Sequence, residues 1–279
     1  MSLTTGYIKA CDDILNKVRE QEVLILKVAE RFAETILKGR VVHLFGSGHS
    51  RIMVEEMWPR YGSYPGFNPI VELSLTFHNQ VSGSNGQRQA MYLENVSGLA
   101  ARILRNFNIS DEDCALVVSS SGCNIVPVEI AEEFRKHGVW VAGLVSLNHC
   151  EGSKSKRHDG KKLIDFSDEV LDTGAPLGDS MMRIDNLETP VSPGSTVGGC
   201  VIINALKAEI ARLLTEAGKP PKVLTSGAII GDEKATKLFE EAYDEHSSRM
   251  AKLYSCLLYT SDAADERSSV DLCGRRIIK

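Results

Sequence analysis

The chain has 279 residues, 43% of them hydrophobic and 25% charged, the balance of a water-soluble protein with ample apolar material for a core. Its net charge of -5 predicts no basic face for a nucleic acid, and no apolar run approaches the ~20 residues that cross a bilayer. The opening MSLTTGYIKACDDILNKV lacks the apolar core of a signal peptide, and the seven cysteines form no C-x-x-C pair, so a reducing, cytoplasmic setting is expected.

Apolar residues at helical spacing, among them Ile8, Ile14, Val18, Leu24, Val28, Phe32 and Ile36, predict one long helix or two shorter ones over 7–38, ended by Gly39. Residues 41–45 read as a buried strand, followed by a Gly/Ser turn and a helix from about 50 to 58 that Pro59 stops. A short strand at 69–73 leads into a polar Gly/Ser-rich loop, 76–88, and then a helix over 91–107. A strand at 114–119, a helix at 125–137 and a strand at 140–146 follow, with further short strands at 163–166 and 169–172. Two helices close the chain, 195–217, ended by Gly218 with Pro220 and Pro221 beyond it, and 232–254.

The last 25 residues, 255–279, show little periodicity. Their LLYTS back-translates as CTC TTA TAC ACA TCT, which looks like the transposon end used in sequencing-library adapters, so this tail is expected to be non-native. The expected division is an N-terminal helical segment at 1–38 packing on the core, a ligand-binding domain at 39–254, and the adapter-derived tail at 255–279. Strands alternating with helices imply a parallel sheet covered on both faces.

Two crossings carry the chemistry, FGSGHS at 45–50 and VVSSSGCN at 117–124, each placing serines after a strand and before a helix. Hydroxyls and backbone N–H groups beside a helix start suit a phosphate, and the glycines let the backbone approach it. No G-x-x-x-x-G-K-[ST] occurs, and Arg51 stands where the dinucleotide pattern from Gly46 needs its last glycine, so neither a nucleoside triphosphate nor a dinucleotide cofactor is indicated. Each loop alone is equally readable as a capped tight turn. Two in one chain favour a shared ligand.

Together, FGSGHSRIMVEE, DCALVVSSSGCN and PPKVLTSGAIIGDE resemble the sugar isomerase, or SIS, domain family over roughly residues 3–254. The likeness is strongest to a group of bacterial SIS-domain proteins of uncharacterised activity. It implies a three-layer αβα, flavodoxin-like doubly wound fold with N-terminal helices. The implied partner is a phosphorylated sugar, with no cofactor, and the implied assembly is a homodimer or homotetramer. The activity implied is an aldose/ketose sugar-phosphate isomerase or an etherase-type lyase; the alternative is a non-catalytic phosphosugar-sensing regulator.

Carried over residue by residue, the phosphate-binding set is Gly46, Ser47, Gly48, His49 and Ser50 with Ser119, Ser120, Ser121, Gly122 and Asn124. Either reaction needs a base beside the sugar. The candidates are Glu94, early in the helix over 91–107, and Glu55 or Glu56, of which at most one can face a ligand because adjacent helix positions diverge by ~100°. His246 matches the region from which some relatives bring a ring-opening histidine. His78, His137, His149 and His158 have no supporting pattern. The helix after the first loop carries no further histidine, so the zinc arrangement of phosphoheptose isomerases is not expected, and no metal is. Small residues at Ser192, Gly194, Ser195, Thr196, Gly198 and Gly199 suit close packing of a helix start.

Overall fold

The computed structural model describes residues 2–76 and 86–254. The N-terminal stretch forms two helices, α1 (Leu3–Arg19) and α2 (Glu22–Leu37). Strand β1 (Val42–Gly46) runs through a 3-10 turn, Gly48–Ser50, into α3 (Arg51–Met57). Then come β2 (Phe67–Ile70), α4 (Leu73–Thr76), α5 (Gln87–Leu93) and α6 (Leu99–Leu104). Strand β3 (Cys114–Val118), α7 (Ile125–Lys136), β4 (Trp140–Val145), α8 (Leu147–Gly152) and β5 (Glu169–Asp172) complete the alternating part. Beyond it lie β6 (Ser180–Met182), β7 (Val191–Pro193), α9 (Ser195–Glu216), α10 (Gly227–Ile230) and α11 (Asp232–Ala251).

Five parallel strands pair in the order β2-β1-β3-β4-β5, the flavodoxin-like doubly wound order, with helices on both faces. The strands read as near-continuous apolar runs because both faces are covered. Alternate residues serve the two sides. Val42, Leu44, Leu116, Val118, Ala142 and Leu144 face the layer of α1, α2, α3 and α9. Phe45, Ala115, Val117, Val141 and Val145 face that of α6 and α7. Gly198 lets α9 lie directly on the sheet connection: a Cβ there would stand 1.9 Å from the Thr173 carbonyl oxygen. No helix among the described residues is long and apolar enough to cross a membrane.

Three expectations change. The helix expected over 91–107 is two helices, because Gly98 in the left-handed conformation (φ 83°) breaks it. The strand expected at 163–166 is a 3-10 turn, Leu163–Phe166, closed by Asp165 accepting from the Lys162 amide at 2.7 Å. The strand expected from Pro69 starts at Phe67, and Pro69 is tolerated because β2 is a sheet edge. The antiparallel β6–β7 hairpin and α8 had no periodic signal, being three and six residues long. Most of the loop expected at 76–88, including His78, and the tail at 255–279 lie outside the described residues.

Candidate functional site

Register brings the two serine loops together. Gly46 at the end of β1 pairs with Val118 at the end of β3, so Ser47 and Ser119 leave the sheet side by side at the point where strand order reverses. In the first loop the Ser50 amide donates to the Ser47 carbonyl at 3.1 Å, and the turn is so tight that a Cβ on Gly46 would meet the Ser50 carbonyl oxygen at 2.6 Å. The hydroxyl of Ser50, at the start of α3, makes no capping hydrogen bond. In the second loop Gly122, at φ 61°, donates to the Ser119 carbonyl at 3.0 Å and to its Oγ at 3.2 Å. Ser121 Oγ accepts from the Cys123 amide at 3.3 Å, and the Ser120 carbonyl accepts from the Ser146 amide at 2.9 Å. Asn124 stands extended at the N-cap position of α7 with no cap bond from its side chain.

These loops wall a cleft of about 340 Å³. Ser47, Gly48, His49, Ser50, Ser119, Ser120, Ser121, Asn124 and Glu94 all line it. Gly46 and Gly122 shape the turns and are not among its lining residues. Glu94 caps the C-terminus of α5, where its carbonyl accepts from the Val126 amide at 2.9 Å and ties that turn to α7. Its carboxylate accepts from Ser47 Oγ at 2.8 Å. Burial pushes the Glu94 pKa up, while the hydrogen bonds from Ser47 and Asn124 pull it back in part. A carboxyl poised upward, held by both loops and facing a polar cleft, is suited to proton transfer.

Glu55, Glu56 and His246 do not line this cleft in the chain. Glu55 is exposed and pairs with Arg51 at 3.4 Å. Glu56 pairs with Arg60, accepts from Asn204 Nδ2 at 2.7 Å, and has its pKa lowered by these two groups despite its burial. Both acids line a second groove beside Tyr61, Phe239 and Tyr243. Of the two acids, of which at most one is expected to face a ligand, Glu55 is turned to solvent and Glu56 toward Asn204 on α9. His246 packs against Trp58, ring centroids 5.1 Å apart, and burial pushes its pKa down, with Arg249 adding to the effect.

The cleft also gathers residues without a motif. His149 lines it from α8, with its Nδ1 buried and without a hydrogen-bond partner among the described residues, as is Ser120 Oγ. Ser195 and Thr196 line it from the start of α9, and Asp179 from the connection just before β6. Asp179 Oδ1 accepts from the amides of Ser195 at 2.7 Å and Gly194 at 3.1 Å, and Oδ2 accepts from Ser195 Oγ at 2.6 Å. One signal for His149 was present: it follows the carboxyl end of a parallel strand, where ligands of such sheets gather. Asp179 had none, since it reaches the cleft through an irregular connection. Among the described residues, no three His, Cys, Asp or Glu side chains cluster as metal ligands.

A family model described as SIS domain matches residues 6–146. The chain is 35% identical to the UPF0309 protein BH3325 of Halalkalibacterium halodurans, over 85% of this chain and 96% of that protein. It is 31% identical to the UPF0309 protein lin2794 of Listeria innocua, over 87% of this chain and 96% of that protein. Among solved structures, the phosphoheptose isomerase GmhA from Neisseria gonorrhoeae aligns with a TM-score of 0.46 and 12% identity, over 74% of this chain and 96% of that one.

Proposed function

This chain belongs to the SIS domain family, and on that footing we propose that its cleft binds a phosphosugar and isomerises it between aldose and ketose. The observation that carries the reading is the convergence of two serine loops and one upward-shifted carboxyl, Glu94, on a single cleft at the strand-order switch. Hydroxyls of Ser50, Ser119 and Ser121 hold the phosphate, with the N-terminus of the twelve-residue α7 adding favourable dipole. Ionised Glu94 takes the proton from C2 of the open-chain aldose and returns it to C1, as the C1 carbonyl becomes a hydroxyl and the C2 hydroxyl a carbonyl. His149, in the same cleft, supplies a second protonable group for the oxygen-bound proton. Exposed Tyr61, Ile229 and Phe239 support assembly into a homodimer or homotetramer, and we place the protein in the cytoplasm.

A second reading, phosphosugar sensing without turnover, draws on the same Glu94. A carboxylate that accepts from Ser47 can serve to hold the loops in register without moving a proton. Calorimetry on Ser50→Ala and Ser121→Ala tests the binding claim: each should weaken phosphosugar affinity about tenfold, roughly 1.4 kcal/mol, with little change in melting temperature. Unchanged affinity in both variants overturns it. Glu94→Gln separates the two readings. Binding kept with turnover lost marks the isomerase, and a wild type that binds without ever converting a sugar phosphate marks the sensor.

A further inference from the structure

The second serine loop carries a thiol that phosphate binding does not use. Cys123 follows Gly122 in that loop and precedes Asn124, which lines the cleft. Cys150 follows His149 on α8, and His149 lines the cleft as well. The two thiols hydrogen-bond each other between loop and helix. Packing there is close: a Cβ on the neighbouring Gly122 would stand 3.1 Å from Cys150 Sγ. Cys123 Sγ also lies 3.7 Å from the carbonyl oxygen of Ser153, which caps the end of α8. The hydrogen bond from Cys150, with the charges of Lys162 and Lys156, holds the Cys123 thiol below its ordinary value against burial. The same hydrogen bond and burial push Cys150 up. Cys123 therefore has the character of an attacking thiol and Cys150 that of a resolving one. Cys114 is the contrast: its sulfur meets Thr35 Oγ1 at 3.0 Å, and burial raises its pKa, as in an inert core thiol.

We propose that Cys123 and Cys150 form an oxidation site, joined reversibly by a small hydroperoxide into a disulfide that pulls the second serine loop out of its ligand-binding form. The Cys123 thiolate attacks one oxygen of hydrogen peroxide; an S–O bond forms, the O–O bond breaks, and the departing hydroxide takes up the thiol proton as water. The Cys150 sulfur then attacks the sulfenic acid; the S–S bond forms, the S–O bond breaks, and a second water leaves with the Cys150 proton. Two thiols are thereby oxidised by two electrons and one peroxide is reduced to two waters. Both residues are covered, at 2% and 0% exposure, so the oxidant must be little larger than water. Local opening of the irregular stretch 153–162, whose Lys156 amide donates to the Cys123 carbonyl at 2.9 Å, gives it access. On oxidation the sulfurs close from hydrogen-bonding range to about 2 Å. That movement carries the Cys123 amide from Ser121 Oγ, its acceptor at 3.3 Å, and shifts Asn124 at the start of α7. Ser121 and Asn124 both line the cleft. The loss of binding rests on the phosphosugar reading; formation of the disulfide does not.

Differential alkylation and peptide mapping of the full chain, before and after hydrogen peroxide, read the bond directly. A link between residues 123 and 150 should appear ahead of any through the other cysteines, and dithiothreitol should remove it. Calorimetry on the same samples, with inorganic phosphate and glucose 6-phosphate as probes, should show affinity at least fivefold weaker after oxidation and restored on reduction. In Cys150→Ala the peroxide should leave a sulfenic acid on Cys123 that dimedone traps, and no adduct there overturns the order of attack. The melting temperature reports whether that variant folds; if it does not, the wild-type map and calorimetry decide alone. Thiols at 123 and 150 that stay free, a first link through another cysteine, or unchanged affinity in the linked protein overturns the inference and leaves the phosphosugar reading standing. If the reduced protein binds neither probe, the phosphosugar reading falls and takes the loss of binding with it, while the peptide map still reports separately on the bond.

Discussion

At the amino-terminal end of the sheet, Asp113 accepts from Arg40 Nε and Nη2 at 2.8 Å each, from His43 Nε2 at 3.2 Å and from the Ser110 amide at 2.9 Å. Asn68 completes the cluster through His43 Nδ1 at 2.9 Å, and Phe134 stacks on the imidazole at 5.1 Å. At the carboxyl-terminal end, Glu94 faces a cleft in which Ser120 Oγ and His149 Nδ1 have no partner among the described residues. Both acids pay for burial, yet their pKa values move in opposite directions. Hydrogen bonds and charge from His43 and Arg40 overcome burial and bring Asp113 down to about 2, whereas neutral donors leave Glu94 raised. A polar cluster whose members satisfy one another serves the fold. One that keeps polar atoms unpaired and a carboxyl shifted toward the working range is arranged for a ligand.

The largest expected effect comes from breaking the satisfied end. Asp113→Ala strands buried His43 and half-buried Arg40 without their shared partner and should cost about 3 kcal/mol or more in urea denaturation. A loss under about 1 kcal/mol would mean that the network is incidental to stability.

Acidification sharpens the contrast. The folded pKa of Asp113 lies below its ordinary 3.8, so its contribution is present above that value and is lost as pH falls through about 2. That swing amounts to about 2 kcal/mol. Glu94 has the opposite sign. Its folded pKa is raised, so the cost of ionising it in place is absent below its ordinary 4.5 and grows as pH rises through the folded value. Denaturation curves across pH should thus show Glu94→Gln gaining on the wild type toward neutral pH. A difference that shrinks instead would contradict the assignment.

The smallest effect is expected outside both clusters. Glu55→Ala removes an exposed i,i+4 pair with Arg51 and should change stability by less than about 0.5 kcal/mol. Phosphosugar affinity should not move. A tenfold loss of binding would bring Glu55 back as a ligand-facing acid in the assembled protein.

Much of this was legible along the chain. Near-continuous apolar runs at 41–45, 114–119 and 140–146 mark buried parallel strands, because a sheet covered on both faces buries every position. The serine loops were legible too, since hydroxyls and glycines must lie close in sequence to form one turn. Glu94 was readable as a candidate but not as a cap: the break at Gly98 depends on a backbone conformation that spacing does not reveal. Glu55 and Glu56 stayed ambiguous because helical adjacency gives their mutual angle and leaves open which way α3 is rotated on the sheet.

Local pattern alone determined the element types, the two phosphate-suited turns and the absence of a nucleotide fingerprint, because each depends on residues a few positions apart. Tertiary structure decided the rest. The pairing of β1 with β3 made two turns, some 70 residues apart, into one cleft. The docking of α9, with Gly198 against the Thr173 carbonyl, brought Ser195, and with it Asp179, into the cleft lining. The ionisation of Glu94 and Asp113 was likewise settled by what surrounds each carboxyl, and burial and partnership of that kind come from chain segments that meet only on folding.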